Sequence, residues 1–227
     1  MARFIGILSL DTRFPRIVGD AGNVDSYHLP ARVRVVPGAG SPDIVEDGRP
    51  APELIAGFRD AAHALVDEGA CLITSTCGFL ITVQRDIAAS LPVPVLLSGL
   101  SLLPTVRQMV GGRPLGVLTA SATALGPDAI RAAGVTPDDV RIAGMQGSPL
   151  FTGTFLAPKT SQRATFDTAE MQREVCESAL ALLRGSPEIA AIVLECGNLP
   201  PYAEAIRAAT GRPVFSILDA ARLVGGG

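Results

Sequence analysis

One lysine, two histidines and no tryptophan occur in this chain. The single lysine, Lys159, lies in a loop-like "LAPKTSQ", a strained setting for the amine that a pyridoxal enzyme needs for its Schiff base. His28 and His63 do not have metal-ligand spacing, which leaves a catalytic zinc or a Ser-His-Asp triad little to work with. No Lys/Arg cluster stands out and the formal net charge is −3, which argues against nucleic acid as a partner. No apolar run is long enough to span a membrane. The apolar part of "MARFIGILSL" is too short for a signal peptide and no small-residue cleavage site follows, so it reads as a first strand. These absences point to the cytoplasm, where Cys71, Cys77, Cys176 and Cys196 should stay reduced rather than form a disulfide framework.

What remains is an ordinary globular composition. The chain has 227 residues, 48% of them apolar, with 24 glycines and 18 prolines, enough for one large domain or two small ones. Apolar runs predict strands at 3–9, 33–36, 71–75, 93–96, 115–119, 140–143, 189–194 and 214–217. Helix-like segments alternate with them, among them "PELIAGFRDAAHALVDEG" and "TFDTAEMQREVCESALALLRG". Such alternation predicts an α/β fold with parallel sheets covered on both faces. The two halves also echo each other. "RFIGIL" (3–8) matches "RPLGVL" (113–118), "VRVVPGAGSP" (33–42) matches "VRIAGMQGSP" (140–149), and "ACLITSTCG" (70–78) matches "AAIVLECG" (190–197). Three echoes in one order indicate an internal duplication.

The third echo carries the chemistry, because in each half an apolar strand ends in Cys-Gly. Ligands of parallel sheets bind beyond the strands' carboxyl ends. A helix starting there would favour a thiolate and lower the cysteine pKa below about 8.5, and the glycine would let a ligand approach backbone N–H groups. Two such thiols across one cleft suit removal of a proton beside a carboxylate by one and its return to the opposite face by the other. The bland alternative is two buried small apolar side chains, the common fate of free cysteine. Core packing is the better reading for Cys71, inside a strand, and Cys176, inside a helix.

"TSTCGF" and "LECGNLPPYAEAI", with "GVLTASATAL" between them, resemble the aspartate/glutamate/hydantoin racemase superfamily. "IGILSLDTRFPRIVGDAGN" resembles the start of a racemase-like branch of it. The resemblance covers nearly the whole chain. It implies two similar α/β lobes related by a pseudo-two-fold, which we place at 1–98 plus 214–227 and at 99–213, with the active site in the cleft between them. It further implies Cys77 and Cys196 as a paired acid and base, no cofactor, a small carboxylate-bearing substrate such as an amino acid or hydantoin, and a possible homodimer. The superfamily pattern of Asn-Thr after the first cysteine and Thr after the second is replaced here by Gly78-Phe79 and Gly197-Asn198, which makes the first pocket less polar and puts Asn198 in place of a hydroxyl or amide contact. The alternatives are a decarboxylase or cis–trans isomerase in the same cleft, or a small-molecule binding module without catalysis.

Further candidates surround the thiols. Thr119 and Thr123 stand at the strand-to-helix junction of the second half, where Thr123 either caps the next helix or meets the substrate carboxylate. Thr76 precedes Cys77, and alternation allows at most one of Ser75 and Thr76 to face the cleft. Asp11 and Arg16 lie in the loop after the first strand, Asp11 to orient a thiol or bind an amine and Arg16 (or Arg13) to clasp a second carboxylate. The alternative for that loop is solvated surface charge. "GDAGN" reads as turn chemistry. The same alternation turns Glu195 away from the cleft, into a structural role. His63 falls on the polar side of its helix.

Overall fold

The computed structural model describes residues 3–225. The first sheet holds β1 (Phe4–Ser9), β2 (Ala31–Val35), β3 (Ala70–Ser75) and β4 (Val95–Leu96), in the spatial order β2-β1-β3-β4. The second holds β5 (Leu115–Thr119), β6 (Val140–Gly144), β7 (Ala191–Leu194) and β8 (Val214–Phe215), in the matching order β6-β5-β7-β8. All pairings are parallel. The expected strands are all present, with ends shifted by up to two residues. Helices α1 (Ser41–Ile44), α2 (Pro52–Asp67), α3 (Gln84–Ala89) and α4 (Leu103–Met109) belong to the first half. Helices α5 (Pro127–Ala132), α6 (Pro149–Phe151), α7 (Thr168–Gly185), α8 (Ala203–Thr210) and α9 (Ile217–Gly225) follow. No helix among the described residues is long and apolar enough to cross a membrane.

Local chemistry explains the main helices. Pro52 opens α2, where its missing N–H costs nothing. Ile55, Phe58, Ala62 and Leu65 then recur at helical spacing and are buried, while His63 is exposed. The Asp167 carboxylate caps α7 by accepting from the Ala169 and Glu170 amides, and Gly211, at φ +65°, ends α8 in the left-handed conformation that glycine tolerates.

The first echo has a packing cause. A Cβ on Gly6 would lie 2.8 Å from Ile73 Cδ1 and 3.0 Å from Leu65 Cδ1; one on Gly116 would lie 3.0 Å from Leu182 Cδ2. Each central strand thus carries a glycine where a helix, α2 or α7, presses on the sheet. The second echo is real in the turn but not in the strand. Ile5 pairs with Ala31 and Leu115 with Val140, so β2 and β6 correspond two residues away from the sequence match. The shared Ser-Pro still opens a helix in both lobes.

The expected lobe boundary at 214 needs correction. Val214–Phe215 pairs with β7 and is the edge of the second sheet. Only α9 crosses back, to pack on β3, β4 and the 3-10 turn at 99–102. Residues of α4 and β8 line one groove, and Arg107 of α4 pairs with Asp139 of the second half at 2.7 Å. Residues 1–2 and 226–227 of that assignment lie outside the described residues.

Gly6→Ala should lower stability by about 1–3 kcal/mol, the usual cost of overpacking. Adding Ile73→Val removes the nearest clashing methyl, so the double variant should be more stable than the two single losses summed. Urea denaturation of all four proteins checks this; strict additivity contradicts the proposed contact.

Candidate active site

β3 and β7 end side by side, and each delivers a cysteine to the same cleft. Thr76 N–H donates to the Leu8 carbonyl (3.0 Å) and Glu195 N–H to the Leu118 carbonyl (2.8 Å), so each chain stays on its sheet for one residue more before turning. Cys77 and Cys196 follow, each 7% exposed and free. Gly78 and Gly197 then make reciprocal contacts across the lobes. A Cβ on Gly78 would lie 2.2 Å from the Glu195 carbonyl oxygen, and one on Gly197 would lie 2.4 Å from the Thr76 carbonyl oxygen.

The cleft is lined by Cys77, Gly78 and Phe79 from one lobe and Glu195, Cys196 and Asn198 from the other. Leu10, Thr12, Phe14 and Arg16 come from the loop after β1, and Phe155 and Leu156 from the π-helical turn 152–156. Its cavity volume is ≈20 Å³, room for about one water molecule. Two segments seal it. Phe14 meets Phe155 edge-on with centroids 4.8 Å apart, Arg13 N–H donates to Gln162 Oε1 (2.9 Å), and Lys159 pairs with Asp11. A substrate larger than water enters only when these segments part.

A buried polar chain supports Cys196. Its thiol donates to Asn198 Oδ1 (3.6 Å), and Asn198 Nδ2 donates to Asp20 Oδ2 (2.7 Å). Asp20 Oδ1 accepts from Arg16 Nη1 (2.8 Å) and from the Gly22 amide (2.7 Å). Arg16 Nη2 reaches Thr12 Oγ1 (3.1 Å), and its guanidinium stacks on Phe14 at 4.8 Å. Gly22 leaves room for the Arg16 side chain in this position, since a Cβ would lie 2.5 Å from Arg16 Cδ.

Burial pushes the Cys77 thiol far up, and the Glu195 carboxylate adds to this. The same two causes, in the same order, raise Cys196. The expectation of helix-activated thiolates is therefore reversed. A short 3-10 turn at 78–83 follows Cys77, and its weak dipole does not offset desolvation. Glu195, expected to face away, is a wall of the cleft. It is 2% exposed, its Oε2 accepts from the Thr119 hydroxyl (2.7 Å), its Oε1 has no partner, and burial pushes its pKa up to about 7.

Of the other sequence candidates, Arg16, Thr76, Gly78, Phe79 and Asn198 reach the cleft. Thr119 lies beneath it, holding Glu195. Gly197 backs it through the lobe contact. Asp11 does not reach it: its carboxylate is held at the rim by Lys159, the main cause of its lowered pKa. Thr123 is exposed, shares a hydrogen bond with Ser121 (3.0 Å), and caps nothing, since α5 starts after Gly126. Cys71 donates to the Phe4 carbonyl, Cys176 sits half-buried against the core, and neither lines the cleft.

The pH dependence of stability tests the burial of Glu195. Its folded pKa lies above the ordinary 4.5, so the folded state holds more protons between pH 4.5 and 7. Stability is lost as pH rises through that window, by on the order of 3 kcal/mol in all. The advantage of Glu195→Gln over wild type in urea denaturation should therefore grow by about that amount from pH 4.5 to 8. A constant difference contradicts a buried, ionising carboxyl.

Comparison with known proteins places this architecture. Residues 24–222 match the family described as Asp/Glu/Hydantoin racemase. A protein from Durusdinium sp. clade D named dimethylsulfoniopropionate lyase is 31% identical over 224 residues, which are 96% of this chain and 72% of that one. Dimethylsulfoniopropionate lyase 3 of Emiliania huxleyi (strain CCMP1516) is 32% identical over 93% of this chain, which spans 56% of that protein. The solved structure of allantoin racemase from Klebsiella pneumoniae superposes with a TM-score of 0.71 at 16% identity, covering 100% of this chain and 87% of that one. With most of its length matched, the chain belongs to the Asp/Glu/hydantoin racemase family.

Proposed function

We propose that this protein removes the proton beside the carboxylate of a small substrate, with Cys77 and Cys196 as a cofactor-independent acid/base pair. We further propose that its reaction is elimination from a β-sulfonio carboxylate of the dimethylsulfoniopropionate kind. The observation that carries the reading is the presence of two buried thiols and one buried carboxyl in a single sealed cleft. Arg16 is the one cation on the lining and suits one carboxylate. A dicarboxylic amino acid would call for a second cation. Phe14, Phe79 and Phe155 supply aromatic faces that suit a soft onium group. The names of the relatives at 31–32% identity support the same substrate class.

The step balances without a cofactor. A thiolate takes the α-proton, forming S–H as the C–H bond breaks. The electron pair becomes the Cα–Cβ double bond, and the Cβ–S bond breaks with its pair on the departing neutral sulfide. Acrylate and dimethyl sulfide result. A second reading, racemisation or epimerisation of an amino acid or hydantoin-like compound, shares the first step. There the opposite thiol returns a proton to the other face, and the pseudo-symmetric placement of the two cysteines favours it.

Purified protein incubated with dimethylsulfoniopropionate should release dimethyl sulfide, measured in the headspace. The double variant Cys77→Ala/Cys196→Ala should lower kcat/KM by at least about 100-fold, the usual share of a general base. Each single variant keeps one thiol facing the α-carbon and should retain elimination. Racemisation, which needs both thiols, should be lost in either single variant. In parallel, optically pure hydantoins and amino acids are followed by polarimetry. Loss of rotation without sulfide release selects the second reading. Full elimination activity in the double variant sinks the acid/base assignment.

A further inference from the structure

Both thiols are buried in a cleft that excludes bulk water, so a proton leaving either one needs a local acceptor. Thiolate formation by release to solvent is disfavoured there. The titratable side chains on the lining are Arg16, Cys77, Glu195 and Cys196, so Glu195 is its single carboxyl. It stands in the lobe-two position that Thr76 fills in lobe one, where the hydroxyl accepts from the Leu10 amide (3.1 Å). One carboxylate oxygen of Glu195 is fixed by Thr119. The other, Oε1, is buried without a partner and faces the Cys77–Gly78 backbone, 2.4 Å from where a Gly78 Cβ would be. Glycine at 78 is what leaves room for it.

We propose that Glu195 is the proton acceptor of Cys77, an acid/base partner that acts through the thiol rather than on substrate. No hydrogen bond joins the two groups directly, and the cleft has room for one bridging water. The Cys77 S–H bond breaks, the proton passes through that water, an O–H bond forms at Glu195 Oε1, and a thiolate appears with no change in the net charge of the cleft. After the thiolate has taken the substrate proton, Glu195 returns its own to solvent as the cleft opens for product. The other charges near the pair are known. Arg16 acts to lower Cys77, Asp20 raises Cys196, and Cys196 and Cys77 raise one another's cost of ionisation. With a pKa near 7, Glu195 is ionised and able to accept a proton above neutral pH. Because Cys77 is raised further, the thiolate so formed is a minor species that the substrate or an alkylating agent draws off. The inference rests on the reading of Cys77 as an acid/base group.

The test uses no substrate, so its failure is separable from failure of the reaction assignment. Wild-type protein is alkylated with iodoacetamide from pH 5 to 10 and the modification rate of the Cys77 peptide is read by mass spectrometry. A thiol and carboxyl sharing a proton titrate as a pair, so the rate should rise through an inflection near pH 7, level off, and rise again in alkali. In Glu195→Gln, whose amide oxygen can still accept from Thr119, the neutral inflection should vanish, leaving only the alkaline rise of about tenfold per pH unit. Thr119→Val, which removes a bond that favours the carboxylate, should keep the inflection but move it to higher pH. It gives an answer even if the glutamine variant fails to fold. An unshifted neutral inflection in both variants, its absence from wild type, or its appearance on Cys196 instead of Cys77 overturns the proposal.

Discussion

The reciprocal packing of Gly78 on the Glu195 carbonyl and of Gly197 on the Thr76 carbonyl is the contact on which the cleft depends. Each glycine follows a cysteine, and each touches the residue that precedes the opposite cysteine. No side chain fits at either place, because the obstacle is backbone rather than a movable side-chain tip. The lobes can therefore approach until their strand ends meet, and both thiols arrive in one cavity. Sequence reasoning assigned these glycines to ligand approach. In the structure they serve lobe approach, and the ligand site is a consequence.

Closeness has an electrostatic cost that shapes the chemistry. Two thiols and a carboxyl are removed from water together, so all three are pushed toward their neutral forms. The closed cleft is thus a resting state. The loop after β1 and the turn at 152–163 hold it shut, through Phe14 on Phe155, Arg13 on Gln162 and Asp11 on Lys159, and α1 packs on the same turn. The Asp11–Lys159 pair is partly exposed and contributes little, so opening chiefly costs the aromatic contact. Asp20 ties the same loop to Asn198 and so couples loop position to the hydrogen bond that holds the Cys196 thiol.

Much of this was legible in the sequence, for physical reasons. Fully buried parallel strands read as apolar runs, and the glycines of β1 and β5 repeat because each must admit a helix. The matched Cys-Gly pairs repeat because the lobes meet symmetrically there. The misreadings share a cause, which is that period-two and turn rules stop at the strand end. Glu195 is the last residue bonded to the sheet and the chain bends right after it, at Cys196, so alternation between the two mispredicted the direction of Glu195. Asp20 looked like turn chemistry because its partners, Arg16 and Asn198, are 4 and 178 residues away. Thr123 looked like a cap, but the helix starts later. Phe155 and Leu156 lie in a π-turn with no strong sequence signal. The edge strand β8 was assigned to the wrong lobe because only the following helix crosses over.

The central claim is that Cys77 and Cys196 address one α-carbon from opposite faces. The most direct measurement uses 4-methylpentanoate, a carbon isostere of dimethylsulfoniopropionate that has no leaving group, in heavy water, with stereospecific NMR of its two α-hydrogens. Wild type should exchange both. Cys77→Ala and Cys196→Ala should each exchange one, and the two variants should exchange opposite ones. Exchange of the same hydrogen by both variants, or of both hydrogens by either, would contradict the account.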